Sequence, residues 1–292
     1  MKIAIYGKKF NETFVPAVQF LFSRLKNQAL DLYIHDGFAD FLFRYVKPDD
    51  KLKLFASKDF SSQFDVLLSI GGDGTFLDAV TLVKQTGVPI LGINTGRLGF
   101  LSIISREEIS GAVNALINRD YVLEDRSLLS LLTDEGVPFG GFNFALNELT
   151  VIKKDTSSMI TVQAYIDGAY LNSYWADGII VATPTGSTAY SLSCGGPILA
   201  PTAPNFIITP IAPHNLNVRP IVLSDTSEIR LKVEARDENY LVALDSRSIA
   251  FDPSTELIIK KADFSIKLLK LKSENFYNTL RAKMMWGMDR RN

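Results

Sequence analysis

Residues 71–75 read Gly71-Gly72-Asp73-Gly74-Thr75 and follow an apolar run, Val66-Leu67-Leu68-Ser69-Ile70. Glycines let a backbone turn sharply and come close to a ligand. A helix that starts here offers unpaired N–H groups and the positive end of a dipole, which suits phosphate. A carboxylate inside such a loop repels phosphate, so Asp73 calls for another role. It fits a general base for a hydroxyl, or an acceptor that orients one. The plainer alternative is a tight strand–helix turn with Asp73 as the helix N-cap. No Lys-Ser or Lys-Thr follows the glycines at P-loop spacing, and the segment is not Gly-x-Gly-x-x-Gly.

A second stretch is Thr183-Pro184-Thr185-Gly186-Ser187-Thr188-Ala189-Tyr190-Ser191-Leu192-Ser193-Cys194-Gly195-Gly196-Pro197, with Asp177 and the apolar run 178–182 just before it. Small and hydroxylated residues dominate. Hydroxyls and backbone amides in such a loop can hold a purine edge and a ribose, and Tyr190 can stack or pack. The alternative is a connection whose Ser and Thr only cap a short helix.

Elements must position these loops. Residues 2–6, 30–35, 66–70 and 88–93 read as strands. Phe14, Val18, Leu21, Phe22 and Leu25 share one helical face, and a second helix spans about residues 75–85. This alternation predicts a parallel sheet with crossover helices. The pattern changes near residues 120–126. Closely spaced β-type runs follow at 128–133, 148–153, 159–166, 178–182, 228–233 and 241–244, punctuated by Gly, Pro, Asp and Asn. They predict a mostly antiparallel β domain. Phe276, Leu280 and Met284 then fall at helical spacing, in a tail expected to pack on the first domain. The expected division is an α/β domain over residues 1–125 plus 272–292 and a β-rich domain over 126–271.

Of 292 residues, 47% are hydrophobic and 22% charged, enough apolar material for large cores. A net charge of −1 argues against a nucleic-acid partner. The single cysteine, Cys194, forms no internal disulfide, and with His35 and His214 far apart no zinc motif arises. The apolar run at the N-terminus is too short for a signal-peptide core, and no stretch is long enough to span a bilayer. The expectation is a cytoplasmic protein without membrane contact.

With these loops in place, the chain resembles the NAD kinase family. The likeness runs in order through the glycine loop, Asn94-Thr95-Gly96-Arg97-Leu98-Gly99-Phe100-Leu101, Leu146-Asn147-Glu148, Asp177-Gly178 and residues 183–197. It continues through Pro213-His214, Arg219-Pro220 and Leu244-Asp245-Ser246. The glycine motif alone is shared with diacylglycerol and sphingosine kinases, so a lipid kinase is one alternative. A non-catalytic dinucleotide sensor on the same fold is another.

The resemblance implies a Rossmann-like N-terminal domain, a sandwich-like C-terminal domain and NAD in the cleft between them. It makes Asp73 the proton acceptor for the ribose 2′-hydroxyl. It implies NAD contacts at Asp73, Gly74, Phe100, Asn147, Glu148, Trp175, Asp177, Thr188, Ala189, Tyr190 and Ser193. Gly71, Gly72, Gly74 and Thr75 would form the ATP phosphate loop. Arg97 is either a phosphate ligand or a solvent-facing residue between glycines. ATP would come with Mg²⁺ or another divalent cation that needs no side-chain ligand, and the protein would be a homodimer or homotetramer. The sequence departs from the family pattern at Trp175 and Ser158, where basic or His residues are common, at Arg247, often Gln, and at Cys194, often Ala. Cys194 reads as a packing residue, and His214 as a structural hydrogen-bonding residue.

Overall fold

The computed structural model describes residues 1–96, 98–134, 136–154, 158–235 and 239–285. Arg97 and Trp286 lie outside the described residues. The chain divides into two compact units, Met1–Asp125 with Ile266–Asn292, and Arg126–Ser265.

The first unit alternates β1 (Lys2–Gly7), α1 (Val15–Lys26), β2 (Asp31–His35), α2 (Asp36–Leu42), β3 (Leu52–Phe55), β4 (Val66–Ile70), α3 (Asp73–Val83), β5 (Ile90–Ile93) and α4 (Ile109–Asn118). The strands pair in parallel in the order β3-β2-β1-β4-β5. Every residue of β4 and β5 is buried, because helices cover both faces of a parallel sheet. In α1 the buried set is Ala17, Val18, Leu21, Phe22 and Leu25, one helical stripe, and Pro16 sits in the first turn where its missing N–H costs nothing. The strand order reverses between β1 and β4. Ligands of such sheets gather at the carboxyl ends of the strands beside that reversal, and the glycine loop leaves β4 there.

The second unit is a two-layer β structure. Its strands begin with β6 (Tyr121–Thr133), β7 (Phe144–Ala145), β8 (Glu148–Lys153), β9 (Ile160–Ile166), β10 (Ala169–Ala176) and β11 (Gly178–Ala182). After the short helix α5 (Tyr190–Ser193) come β12 (Asn205–Ile211), β13 (Ile221–Ser224), β14 (Ile229–Glu234), β15 (Tyr240–Leu244), β16 (Arg247–Phe251) and β17 (Leu257–Leu271). One layer is antiparallel in the order β13-β12-β11-β8-β15-β16, and the other runs β10-β9-β14-β17. Leu149, Val151, Ile179, Val181, Phe206 and Val242 of the first layer share a core with Val162, Ala164, Leu231, Val233 and Ile259 of the second. The period of two is what directs them: Ile180 and Ala182 face the other way and form a smaller cluster with Ile207, packed by Cys194 and Leu199. Cys194 is therefore a packing residue, and burial pushes its thiol pKa up.

β17 carries the chain back into the first unit, where Leu268 pairs in parallel with Ile90 of β5. The tail ends in α6 (Phe276–Met284), capped by the Asn275 side chain, which accepts from the Tyr277 N–H. Its inward face is Phe276, Leu280 and Lys283. Leu280 is buried, Phe276 lies 6.3 Å from the Phe100 ring and the Lys283 ammonium stands over that same ring. Met284, expected on this face, is 40% exposed, so Leu280 is the one buried residue of the helix.

The sandwich core predicts a large cost for a hole at its centre. Leu231→Ala empties a fully buried site between the layers and should cost about 2–5 kcal/mol of stability. Denaturant unfolding checks this; a loss below about 1 kcal/mol would mean the layers close over the gap.

Candidate active site

Gly72 is the N-cap residue of α3, in extended conformation, and Asp73 is the first helical residue. Asp73 does not cap its own helix. Its carboxylate accepts three consecutive backbone N–H groups from the turn after β5. Oδ2 accepts from Phe100 at 2.8 Å, and Oδ1 from Leu101 at 3.1 Å and Ser102 at 2.9 Å. The sequence around this turn makes the contact possible. Asn94 ties the turn together, its Nδ2 donating to the Ser102 carbonyl and its Oδ1 accepting from the Gly96 N–H. Ile104 bridges alongside Ile93. At Gly99 a Cβ would lie 1.9 Å from Asp73 Oδ1, so no side chain is tolerated there.

Thr75 is buried, while Gly72 and Gly74 are exposed and have open space where a Cβ would stand. The mouth of the loop is therefore clear for a ligand. Phe100 is half-buried, its N–H on Asp73 and its ring under Lys283. Just past β1, Lys8 pairs with Asp78 of α3.

The second unit repeats the device. Asp245, half-buried, accepts the N–H groups of Leu146 at 2.9 Å, Asn147 at 2.8 Å and Glu148 at 3.3 Å. It sits in the two-residue turn between β15 and β16 with φ of 53°, a left-handed conformation that Asp tolerates better than most residues. Arg247, two residues on, donates to the carbonyls of Phe142 and Phe144 and lies over the Phe144 ring. This departure from the family pattern is thus a clamp on the strand leading into Asn147-Glu148.

Residues 183–197 split into two halves. Residues 183–187 are buried and bonded inward: the Thr183 hydroxyl donates to the Leu146 carbonyl at 2.5 Å, its N–H donates to the Asn147 carbonyl, and buried Arg126 donates to the Thr185 hydroxyl. At Gly186 a Cβ would meet the Asn147 carbonyl oxygen at 2.1 Å. Thr188 and Ala189 are half-buried, and Tyr190 and Ser193 are exposed. So of this loop, the four residues implied as NAD contacts are ones that reach the surface, next to the pinned Asn147-Glu148 turn.

Asn147 and Glu148 are both buried. Glu148 has its pKa pushed up to about 8, chiefly by burial and then by the charge of Asp245, against the pull of the Tyr190 N–H. Its Oε2 is buried with no hydrogen-bond partner. Burial pushes Asp245 up as well, but three N–H groups and Arg247 hold it back. With its pKa near 8, Glu148 keeps its proton at neutral pH.

Asp177 precedes β11 and makes a 2.6 Å ion pair with Lys153 through Oδ1. Trp175, at the end of β10, is 49% exposed, and its ring stands 4.2 Å from that of His214. The His214 backbone N–H donates to the Trp175 carbonyl. Ser158 lies just before β9, half-buried. Sequence reading missed Asp245 as a structural anchor, Lys153 and Lys283. Only the strand register, with Ile152 opposite Gly178, reveals Lys153 beside Asp177.

The chain thus has an α/β unit whose glycine loop carries an acid at the sheet reversal, with no P-loop, and a second unit of β-sandwich type. Residues 6–121 match the model of the ATP-NAD kinase N-terminal domain and residues 146–271 that of the C-terminal domain. The NAD kinases of Cytophaga hutchinsonii and Flavobacterium psychrophilum are each 48% identical to this chain, over 100% of both partners. The chain belongs to the NAD kinase family. A yeast NADH kinase complexed with NADH shares the fold, with a TM-score of 0.87 at 24% identity, covering 99% of this chain and 89% of that one. An NAD kinase from Archaeoglobus fulgidus in complex with ATP gives a TM-score of 0.73 at 28% identity, covering 98% and 99%.

Glu148 binds its proton more tightly folded than unfolded. The stabilisation this brings is complete below the unfolded carboxylate range and is lost as pH rises through about 8. Glu148→Gln should therefore flatten the fall in stability between roughly pH 5 and pH 8. Melting temperature against pH for the two proteins measures it, and parallel curves would refute the protonated state.

Proposed function

We propose that this enzyme transfers the γ-phosphoryl group of ATP to the 2′-hydroxyl of the adenosine ribose of NAD, giving NADP and ADP, with Asp73 accepting the hydroxyl proton. The observation that carries this reading is the Asp73 carboxylate itself, held by three N–H groups at an open glycine loop. An ionised carboxylate has about four acceptor positions. Oδ1 spends two and Oδ2 one, so Oδ2 is the oxygen with a lone pair left for a hydroxyl. Phosphoryl transfer asks for alignment and charge neutralisation more than covalent help. The ribose oxygen bonds to phosphorus, the bond to the ADP oxygen breaks with its electron pair, and the proton passes to Oδ2. The free N–H groups at the start of α3 offset phosphate charge. Mg²⁺ or another divalent cation comes with ATP and neutralises its phosphates; among the described residues no cluster of three or more His, Cys, Asp or Glu could hold one.

Asn147 and Glu148 hold the adenosine. Protonated Glu148 can donate as well as accept, and the Asn147 amide does both, which suits a ribose hydroxyl or an adenine edge. Asp177, with one oxygen on Lys153, offers the other to the carboxamide of nicotinamide. Thr188, Ala189, Tyr190 and Ser193 line the rings. Trp175 covers the dinucleotide by apolar contact, where relatives often place a charge. We further infer a cytoplasmic homodimer or homotetramer; among the described residues no helix is long and apolar enough to cross a membrane.

Asp73→Asn should lower kcat on the order of a hundredfold or more while NAD still binds. Turnover near wild type, in a coupled assay with NAD, ATP and Mg²⁺, would end the base assignment. For Trp175, the expected result is that Trp175→Ala weakens NAD binding equally at low and high salt, since the lost contact is apolar. Calorimetric titration decides it; unchanged affinity would leave Trp175 only its packing on His214.

A further inference from the structure

Among the described residues, the reading above leaves the charged side chain of Lys283, beside Asp73, without a role. Lys283 lies on the last turn of α6, on the same face as Phe276 and Leu280. Its ammonium stands 3.8 Å from Asp73 Oδ2 and 4.6 Å from the centre of the Phe100 ring. Oδ2 is the oxygen with the spare lone pair. At 3.8 Å the contact is an ion pair but too long for a hydrogen bond. The cation–π contact positions the ammonium and spends none of its donors. Lys283 is exposed, so its ammonium is free to meet an incoming phosphate.

We propose that Lys283 is a further catalytic residue, the cation that holds the oxygens of the transferring phosphoryl group. This rests on the assignment of Asp73 Oδ2 as proton acceptor. The ribose hydroxyl must sit against Oδ2, so the phosphorus it attacks lies within reach of an ammonium beside that oxygen. Three N–H donors on a compact charge suit the spread negative charge of the transition state. Lys283 keeps its proton throughout: the hydroxyl proton goes to Asp73, and the leaving electron pair to ADP. The C-terminal helix is then part of the catalytic apparatus, and the glycine loop without a lysine receives its cation from the far end of the sequence.

Lys283→Ala, Lys283→Arg and Asp73→Asn in the full-length enzyme test this. The Ala variant should lose tenfold or more in kcat, on the order seen when one charge-stabilising donor is removed. Its NAD affinity and melting temperature should match wild type, and the Arg variant should recover most of the lost turnover. Wild-type kcat in the Ala variant overturns the proposal. So does a loss that Arg fails to restore or that comes with a lower melting temperature, either of which marks a role in seating α6. Asp73→Asn scores the base reading by itself: if that variant turns over normally while Lys283→Ala does not, the cation stands and the proton acceptor is reassigned.

Discussion

A carboxylate that accepts three successive backbone N–H groups is the constraint on which both units depend. Asp73 holds the turn at Phe100, Leu101 and Ser102, and Asp245 holds the turn at Leu146, Asn147 and Glu148. Three parallel N–H groups form a small concave donor surface that a neutral side chain cannot match. Hydrogen bonds to an ionised group contribute more than neutral ones, and leaving such donors buried and unpaired is costly. Each turn is therefore fixed in one conformation. In the first unit the holding acid is also the proposed chemical group. In the second, the holding acid fixes the turn that carries Asn147 and Glu148, the proposed adenosine contacts.

Much of this was legible in the sequence, for physical reasons. Strands at residues 66–70, 148–153 and 178–182 stand out because each is a short β-type run bounded by turn residues, and each appears with those limits. The long β17 was not seen, because Lys260, Lys261, Lys267 and Lys270 interrupt its apolar pattern. β10 is polar on its open face, and α2 is too short to show a helical period. The glycine loop and residues 183–197 announced themselves by composition. The anchors did not. Asp245 reaches Asn147 across 98 residues of sequence, and Lys153 meets Asp177 only through strand register.

The departures from the family pattern become intelligible in the same terms. Arg247 puts a positive charge near Asp245 and ties down the strand before Asn147. That charge works against the burial that raises Asp245, and Asp245 lies close enough to raise Glu148. A substitution that looks like a change of ligand contact is thus a brace on the strand that leads into Asn147 and Glu148. Trp175 is different: it is exposed and braced by His214, so its ring is offered to the surface with its conformational freedom already reduced.

An acid inside a phosphate loop looks self-defeating until the nearby charges are compared. Asp73 begins α3, where the helix dipole places roughly half a positive charge. Three further N–H dipoles converge on its oxygens, and the Lys283 ammonium stands 3.8 Å from one of them. The field that an approaching triphosphate meets is set by all of these, and the carboxylate is the minority sign. A P-loop neutralises phosphate with a lysine in its own sequence and has no base to offer. In the proposed site the loop supplies the acceptor, and the cation is Lys283 of a helix near the far end of the chain, held over the Phe100 ring. Separating the two charges along the chain lets them be brought together only when α6 is seated, so the site becomes whole as the fold does.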